Sequence, residues 1–172
     1  GEAPALARER ARAAIDGVQS TVDAGGRDLG WGKYSINAMM KHWPGDGVGE
    51  GGREAHSKYG KYAVYPGNDF ATQLVPFVEG GLKLDGRTKM PSAVMTSYSI
   101  AWSNDGSLGE KVGSAYSDFK IGLLRSKYKF DGVICTDWCV THSPGEGLKG
   151  LSTAWGLEYG YTEVQRHYKA LM

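Results

Sequence analysis

No apolar run in this chain approaches the ~20 residues needed to cross a bilayer. The opening stretch, GEAPALARERARAA, is charged and helical in pattern and does not read as a secretory leader. An excess of one charge is also missing. Twenty Lys and Arg against 19 Asp and Glu leave a net charge of +1, which gives no electrostatic case for nucleic acid or for an anionic membrane surface. Cysteine is scarce. Cys135 and Cys139 flank an aspartate and supply neither a disulfide framework nor the ligand number of a zinc site, so free thiols are expected. No GxGxxG turn joins a predicted strand directly to a helix, which weighs against a dinucleotide-binding fold. No internal repeat or low-complexity tract is present.

Glycine and aromatics are plentiful, with 26 Gly and 11% Phe, Trp and Tyr among 172 residues. Tight loops and flat apolar platforms together suit a loop-lined site for a flat polar ligand such as a sugar. The length is enough for one domain with a sizeable core.

The organising stretch is KFDGVICTDW, residues 129–138. A short apolar strand, Gly132 to Thr136, runs into the carboxylate of Asp137 with the indole of Trp138 beside it. Upstream, Pro4 to about Ala24 reads as a helix. Ala7, Ala11, Ala14, Ile15, Val18 and Val22 form one stripe, Arg8, Arg10 and Arg12 lie opposite, and Gly25-Gly26 stops it. Ser35 to Met40 reads as a buried strand running into Lys41-His42-Trp43-Pro44. Residues 43–67 show no period, and their tyrosines suggest an ordered, functional loop. Asn68-Asp69 caps a helix through about Val78. Ser92 to Ser97 is the second strand, ending at Tyr98, and 100–113 reads as a polar loop. Ser114 caps a helix through about Lys127 with Tyr116, Phe119, Leu123 and Leu124 as its buried face. After the strand at 132–136, a Gly-rich loop covers 139–160. Thr162 to Gln165 is a capping-box pattern opening a last helix.

The pattern alternates helix and strand, and the strands are short, apolar and not alternating, as parallel strands buried on both faces are. Helix-to-strand connections read as short and strand-to-helix connections as long. This is the asymmetry of α/β folds whose sites are built from the loops after the strands, in (β/α) barrels and in open doubly wound sheets alike.

Lys41, His42, Tyr98, Asp137 and Trp138 each fall where a strand gives way to its loop. Parallel neighbouring strands would bring them to one mouth. Lys and His donate hydrogen bonds to vicinal hydroxyls, and Trp and Tyr offer faces to the C–H edges of a pyranose. A carboxylate beside cations stays ionised, as a nucleophile at an anomeric carbon must.

These residues carry a family resemblance over nearly the whole chain. KFDGVICTDW resembles the nucleophile strand of family 3 glycoside hydrolases, the retaining β-glucosidase group. KHWPGDG (41–47) is similar to that family's Lys-His segment, and AVMTSYS (93–99) resembles its Met-x-Ser-Tyr strand end. The opening helix resembles the family's Gly-Glu-Asp-Pro helix, with Ala3 in place of Asp. The resemblance implies an α/β fold that is part of a (β/α)8 TIM-type barrel. Asp137 would be the catalytic nucleophile. Lys41 and His42 would bind hydroxyls of the sugar in subsite −1, Met95 and Tyr98 would line it, and Trp138 would wall it. The expected substrate is a β-glucoside or short β-linked oligosaccharide, with no cofactor and no metal. A periplasmic or secreted setting is favoured by the resemblance alone.

A full barrel of this type needs about 250 residues, and three strands are readable here. Residues 1–172 are therefore expected to be a fragment of one catalytic barrel domain that needs the rest of its own barrel, or a complementary chain, to fold and act. The second carboxylate of a retaining pair is expected to be a Glu outside this chain. The in-chain alternative is Glu54 with His56 in Arg53-Glu54-Ala55-His56, which resembles the Asp/His pair that one branch of the family carries in the loop after its Lys-His segment; that resemblance would imply a β-N-acetylglucosaminidase. Glu50 and Glu146 are weaker candidates. A catalytically dead sugar-binding or scaffold domain is the other class of reading. A metal site of His42, Asp46 and His56 matches no ligand spacing.

Overall fold

The computed structural model describes residues 3–140, Trp155 and Tyr168. The chain opens with α1, Pro4–Gln19, followed by a small antiparallel hairpin of β1, Thr21–Val22, and β2, Asp28–Gly30. β3, Met39–Trp43, leads through a long loop containing β4, Tyr62–Val64, to α2, Phe70–Val75, which continues as a π-helical turn at Pro76–Gly81. β5, Ala93–Thr96, is followed closely by β6, Ile100–Trp102. A 3₁₀ turn at Ser114–Tyr116, then α3, Asp118–Gly122, then a second π-helical turn at Leu123–Lys127 lead to β7, Val133–Cys135.

β3, β5 and β7 form a parallel sheet in chain order. Its register pairs Met40 with Val94 and Ile134 with Val94, and Met95 with Cys135. Successive side chains alternate between its faces. Met40, Trp43, Val94 and Ile134 face one way and meet Leu74, Phe77, Leu82, Leu124 and Phe130 from the helical layer. Trp43 is fully buried there, and its indole N–H donates to the Lys120 carbonyl at 3.0 Å. The other face is covered unevenly among the described residues: Met39 is 44% exposed and Val133 63%, whereas Met95 is 7% exposed. The chain is thus mixed α/β with parallel sheets, one sheet face dry and the other partly open.

The glycine of Phe130-Asp131-Gly132 has a packing reason. A Cβ at Gly132 would come within 2.6 Å of the Ser92 carbonyl oxygen and of the Phe130 ring, so only glycine lets β7 enter the sheet beside β5.

Several sequence expectations shift. α1 ends at Gln19 rather than Ala24, because Ser20 is extended and the β-branched Thr21 and Val22 pair into the hairpin. The face of α1 turned inward carries Arg8 and Arg12 with Ala7, Ala11 and Ile15, while Val18 and Val22 are exposed. Arg12 reaches the Glu79 carbonyl at 2.5 Å and Arg8 the Glu79 carboxylate at 3.4 Å, so these arginines dock the helix. The first strand is Met39–Trp43, not Ser35–Met40. The Ile36 amide donates to the Val18 carbonyl at 2.8 Å, which ties that residue back to α1, and pairing with β5 begins only at Met39. The connection from α1 to β3 is consequently long, not short, and contains the hairpin. The two stretches read as loops hold β4 and β6, which pair in parallel, Tyr62 with Ile100 and Val64 with Trp102. The cap of α3 is Ser117, whose Oγ accepts from the Lys120 amide at 3.2 Å; Ser114 instead opens the 3₁₀ turn. The capping box at Thr162 and most of the 139–160 loop lie outside the described residues.

One buried polar side chain was not anticipated. Gln19 is fully buried. Its Oε1 accepts from the Ala38 and Ser92 amides at 3.3 and 2.9 Å, and its Nε2 donates to the Met90 carbonyl at 2.9 Å and Thr88 Oγ1 at 3.2 Å. It pins the end of α1 to the points where β3 and β5 begin.

Candidate active site

The carboxyl ends of the three parallel strands converge on Asp137, just past β7. Its side chain is 14% exposed. Oδ1 accepts from the Tyr98 hydroxyl at 2.9 Å and from the Trp138 amide at 2.7 Å. Oδ2 faces His42 Nε2 at 3.2 Å. The Tyr98 hydroxyl also lies 2.8 Å from the Trp138 carbonyl. Burial, then the hydrogen bond and charge of Asp137, push the Tyr98 phenol above its ordinary pKa, so it stays a neutral donor. Strand ends supply all three groups: His42 is the penultimate residue of β3, Tyr98 follows β5, and Asp137 follows β7. The Lys41–His42 and Trp43–Pro44 peptide bonds are cis.

Lys41 is exposed and lines a cavity of about 300 Å³ with His42, Asp46, Phe77 and the first turn of α1. Met95 is 7% exposed and lies on the sheet face opposite Val94. The Trp138 indole is 80% exposed; its backbone, not its ring, makes the contacts to Tyr98 and Asp137. Cys135 and Cys139 are not disulfide-linked.

Glu54 and His56 come together. Glu54 Oε1 pairs with His56 Nδ1, and Glu54 Oε2 accepts the His56 amide at 3.0 Å. The His56 ring meets the Tyr98 ring edge-on at 4.7 Å between centroids, which brings the pair to the phenol that holds Asp137. Ala55 between them is buried, and its carbonyl accepts from the Trp155 indole at 2.6 Å. Glu50 sits in a 3₁₀ turn. Glu146 lies outside the described residues. Among the described residues no three His, Cys, Asp or Glu side chains gather as a metal-ligand set.

Asp46, weighed from the sequence only as a metal ligand, and Ser97 and Ser99, not singled out there, complete the cluster. Asp46 Oδ2 lies 3.4 Å from His42 Nδ1, and Asp46 Oδ1 accepts from Ser97 Oγ and, at 3.0 Å, from Ser99 Oγ. The only available signal was two serines flanking Tyr98 at a strand end. The Tyr65 hydroxyl is buried with no hydrogen-bond partner among the described residues; burial, then the nearby Asp46 charge, raises its pKa.

A partly buried carboxylate at the carboxyl end of a parallel strand, gripped by a phenol and facing an imidazole, makes a loop-lined site at the strand ends of an α/β sheet. The chain belongs to glycosyl hydrolase family 3: the model of that family's N-terminal domain matches residues 1–149. It is similar to a periplasmic beta-glucosidase/beta-xylosidase of Dickeya chrysanthemi, with 31% identity over 99% of this chain and 26% of the relative. It is also similar to beta-glucosidase C of Emericella nidulans and a probable beta-glucosidase C of Aspergillus oryzae, each 34% identical over 81% of this chain and 21% of the relative. The chain thus spans about a fifth to a quarter of the length of these curated relatives.

Proposed function

We propose that this chain is the central portion of a (β/α)8 catalytic barrel in a retaining, exo-acting β-glycosidase that hydrolyses terminal β-glucosides. The observation that carries the reading is the setting of Asp137. Two donors tie down Oδ1, and Oδ2, beside His42, is the oxygen assigned to attack.

Oδ2 forms a bond to the anomeric carbon as the bond to the leaving oxygen breaks, and an acid protonates that oxygen. Water then attacks the glycosyl ester, giving its proton to the same group, now a base. Tyr98 and the Trp138 amide keep the carboxylate oriented through both steps. Lys41 and His42 take sugar hydroxyls, and Met95, Tyr98 and Trp138 bound subsite −1. The relatives' names, beta-glucosidase and beta-xylosidase, support an unbranched β-linked hexose or pentose as the sugar.

Three parallel strands in chain order, helices on one face and exposed Met39 and Val133 on the other support a barrel sector whose inward face is closed by strands outside residues 1–172. Treating the complete polypeptide with a 2-deoxy-2-fluoro-β-glucoside bearing an activated leaving group tests the assignment. The expected result is a fluoroglucosyl adduct on the peptide containing Asp137. An adduct elsewhere, or none in a protein that turns over aryl β-glucosides, removes Asp137 from the role.

A second reading concerns the acid/base. The contact of His56 with Tyr98 supports Glu54 and His56 as an in-chain alternative, with an N-acetylglucosaminide as substrate, to a Glu supplied from outside the chain. Rates of Glu54→Gln on aryl β-glucosides and aryl N-acetyl-β-glucosaminides decide between them. An acid/base pair predicts a loss that grows as the leaving group becomes more basic. A flat loss, or none, leaves the external Glu.

A further inference from the structure

We propose that Asp46 is a positioning residue: its carboxylate, anchored by Ser97 and Ser99, fixes the His42 imidazole so that Nε2 is presented to Asp137. The inference rests on the assignment of Asp137 as the reacting carboxylate.

The geometry is a chain of side chains across two strand ends. Asp46 follows β3 through Gly45, whose φ of 128° is open to glycine and strained for other residues. That turn returns the Asp46 carboxylate to the end of β5. There Oδ1 takes hydrogen bonds from Ser97 Oγ and Ser99 Oγ, while Oδ2 faces His42 Nδ1 at 3.4 Å. The serines are themselves fixed. Ser97 and Ser99 are 1% and 3% exposed. The Ser99 amide donates to Ser97 Oγ at 2.9 Å, Ser114 Oγ donates to the Ser99 carbonyl at 2.9 Å, and the Ser97 amide donates to the Trp43 carbonyl at 2.7 Å.

Ser97-Tyr98-Ser99 therefore grips two carboxylates at once. The serines hold Asp46, Tyr98 holds Asp137, and the His42 ring spans the gap with one nitrogen toward each. An imidazole has a broad terminal torsion, and a carboxylate facing each ring nitrogen limits it to one orientation. The separation of 3.2 Å between Nε2 and Asp137 is longer than a charge-assisted bond at its shortest, as unliganded sites commonly are before substrate tightens them. Asp46 touches neither the reacting carboxylate nor the sugar in this scheme; it acts through His42.

Asp46→Asn in the complete polypeptide keeps the size and the acceptor for the serines but removes the charge facing Nδ1. The expected result is a fall in kcat/KM of about 10- to 100-fold, the range of a lost charge-assisted hydrogen bond, carried by kcat and with an unchanged thermal midpoint. The decisive measurement is the cycle with His42→Ala: the double variant should be no slower than His42→Ala alone, because Asp46 has no target once the imidazole is gone. Ser99→Ala, which removes one of the two anchors, should show a loss of about 3- to 10-fold and the same non-additivity, and serves if Asp46→Asn fails to fold. Multiplicative losses in the cycles, or Asp46→Asn within twofold of the parent, overturn the inference. Labelling of the parent by the fluoroglucoside separates the two failures: absence of the Asp137 adduct sinks the nucleophile assignment, whereas a labelled Asp137 with additive cycles sinks only the role of Asp46.

Discussion

At the scale of single residues, Asp137 is distinguished by its donors. A phenol held neutral by burial, a backbone amide and an imidazole surround one carboxylate. Replacing Asp137 with Ala should lower kcat by at least about 10³-fold, since losing a nucleophile costs far more than losing a binding contact. Azide supplied in its place should restore turnover and yield the α-glycosyl azide, detectable by proton NMR; a β-azide, or no rescue in a folded protein, would contradict the role. Lys120 shows the opposite economy of charge. It is fully buried, its ammonium donates to the Glu110 carbonyl at 3.2 Å, and burial, against the pull of the Glu110 carboxylate, lowers its pKa from 10.5 to about 8. The unfolded chain therefore binds more protons than the folded one between about pH 8 and 10.5, so this residue makes stability rise with pH across that window. Lys120→Met should abolish that rise and stabilise the complete polypeptide at pH 7 by about 1–2 kcal/mol, read from urea unfolding at several pH values.

At the scale of elements, what was legible in the sequence followed burial and what was missed followed long-range pairing. β5 and β7 were located to within a residue or two because Val94 and Ile134 are apolar and bounded by Gly, Pro or Ser. β4 and β6 were invisible: Tyr62–Val64 and Ile100–Trp102 are three residues each, too short for a period, and each exists only because the other lies beside it. The Ser35–Met40 segment misled because Ile36 is apolar yet 65% exposed, while Lys41 and His42 look polar and are inside the strand. The convergence of His42, Tyr98 and Asp137 was readable because each follows an apolar run. Asp46 was not, since its partners Ser97 and Ser99 lie far along the chain. Gln19 was hidden for the same reason, being a polar residue on a helix face that meets two strand starts. Gln19→Ala should destabilise the complete polypeptide by about 2–4 kcal/mol, because the Ala38 and Ser92 amides and the Met90 carbonyl lose their buried partner. A thermal midpoint unchanged by the substitution would show that water replaces the amide.

At the scale of the molecule, the sheet β3-β5-β7 has two unpaired edges and one partly open face among the described residues. A partly open, apolar sheet face with free edges is a template for association. Residues 1–172 expressed alone should therefore aggregate or bind a hydrophobic dye, and should show no cooperative unfolding transition, whereas the complete polypeptide should unfold cooperatively. A monomeric, cooperatively melting product from residues 1–172 would refute the barrel-sector reading.

The short ladder of β4 and β6 fastens the loop after β3, which carries Glu54 and His56, to the loop after β5, which begins at Ser97 and carries Tyr98. These two loops are therefore tied into one structural unit. Recombination that imports either alone from a relative with a different sugar preference would leave three residues of backbone without a mate, so changes of specificity in this lineage should arrive as exchanges of both loops together.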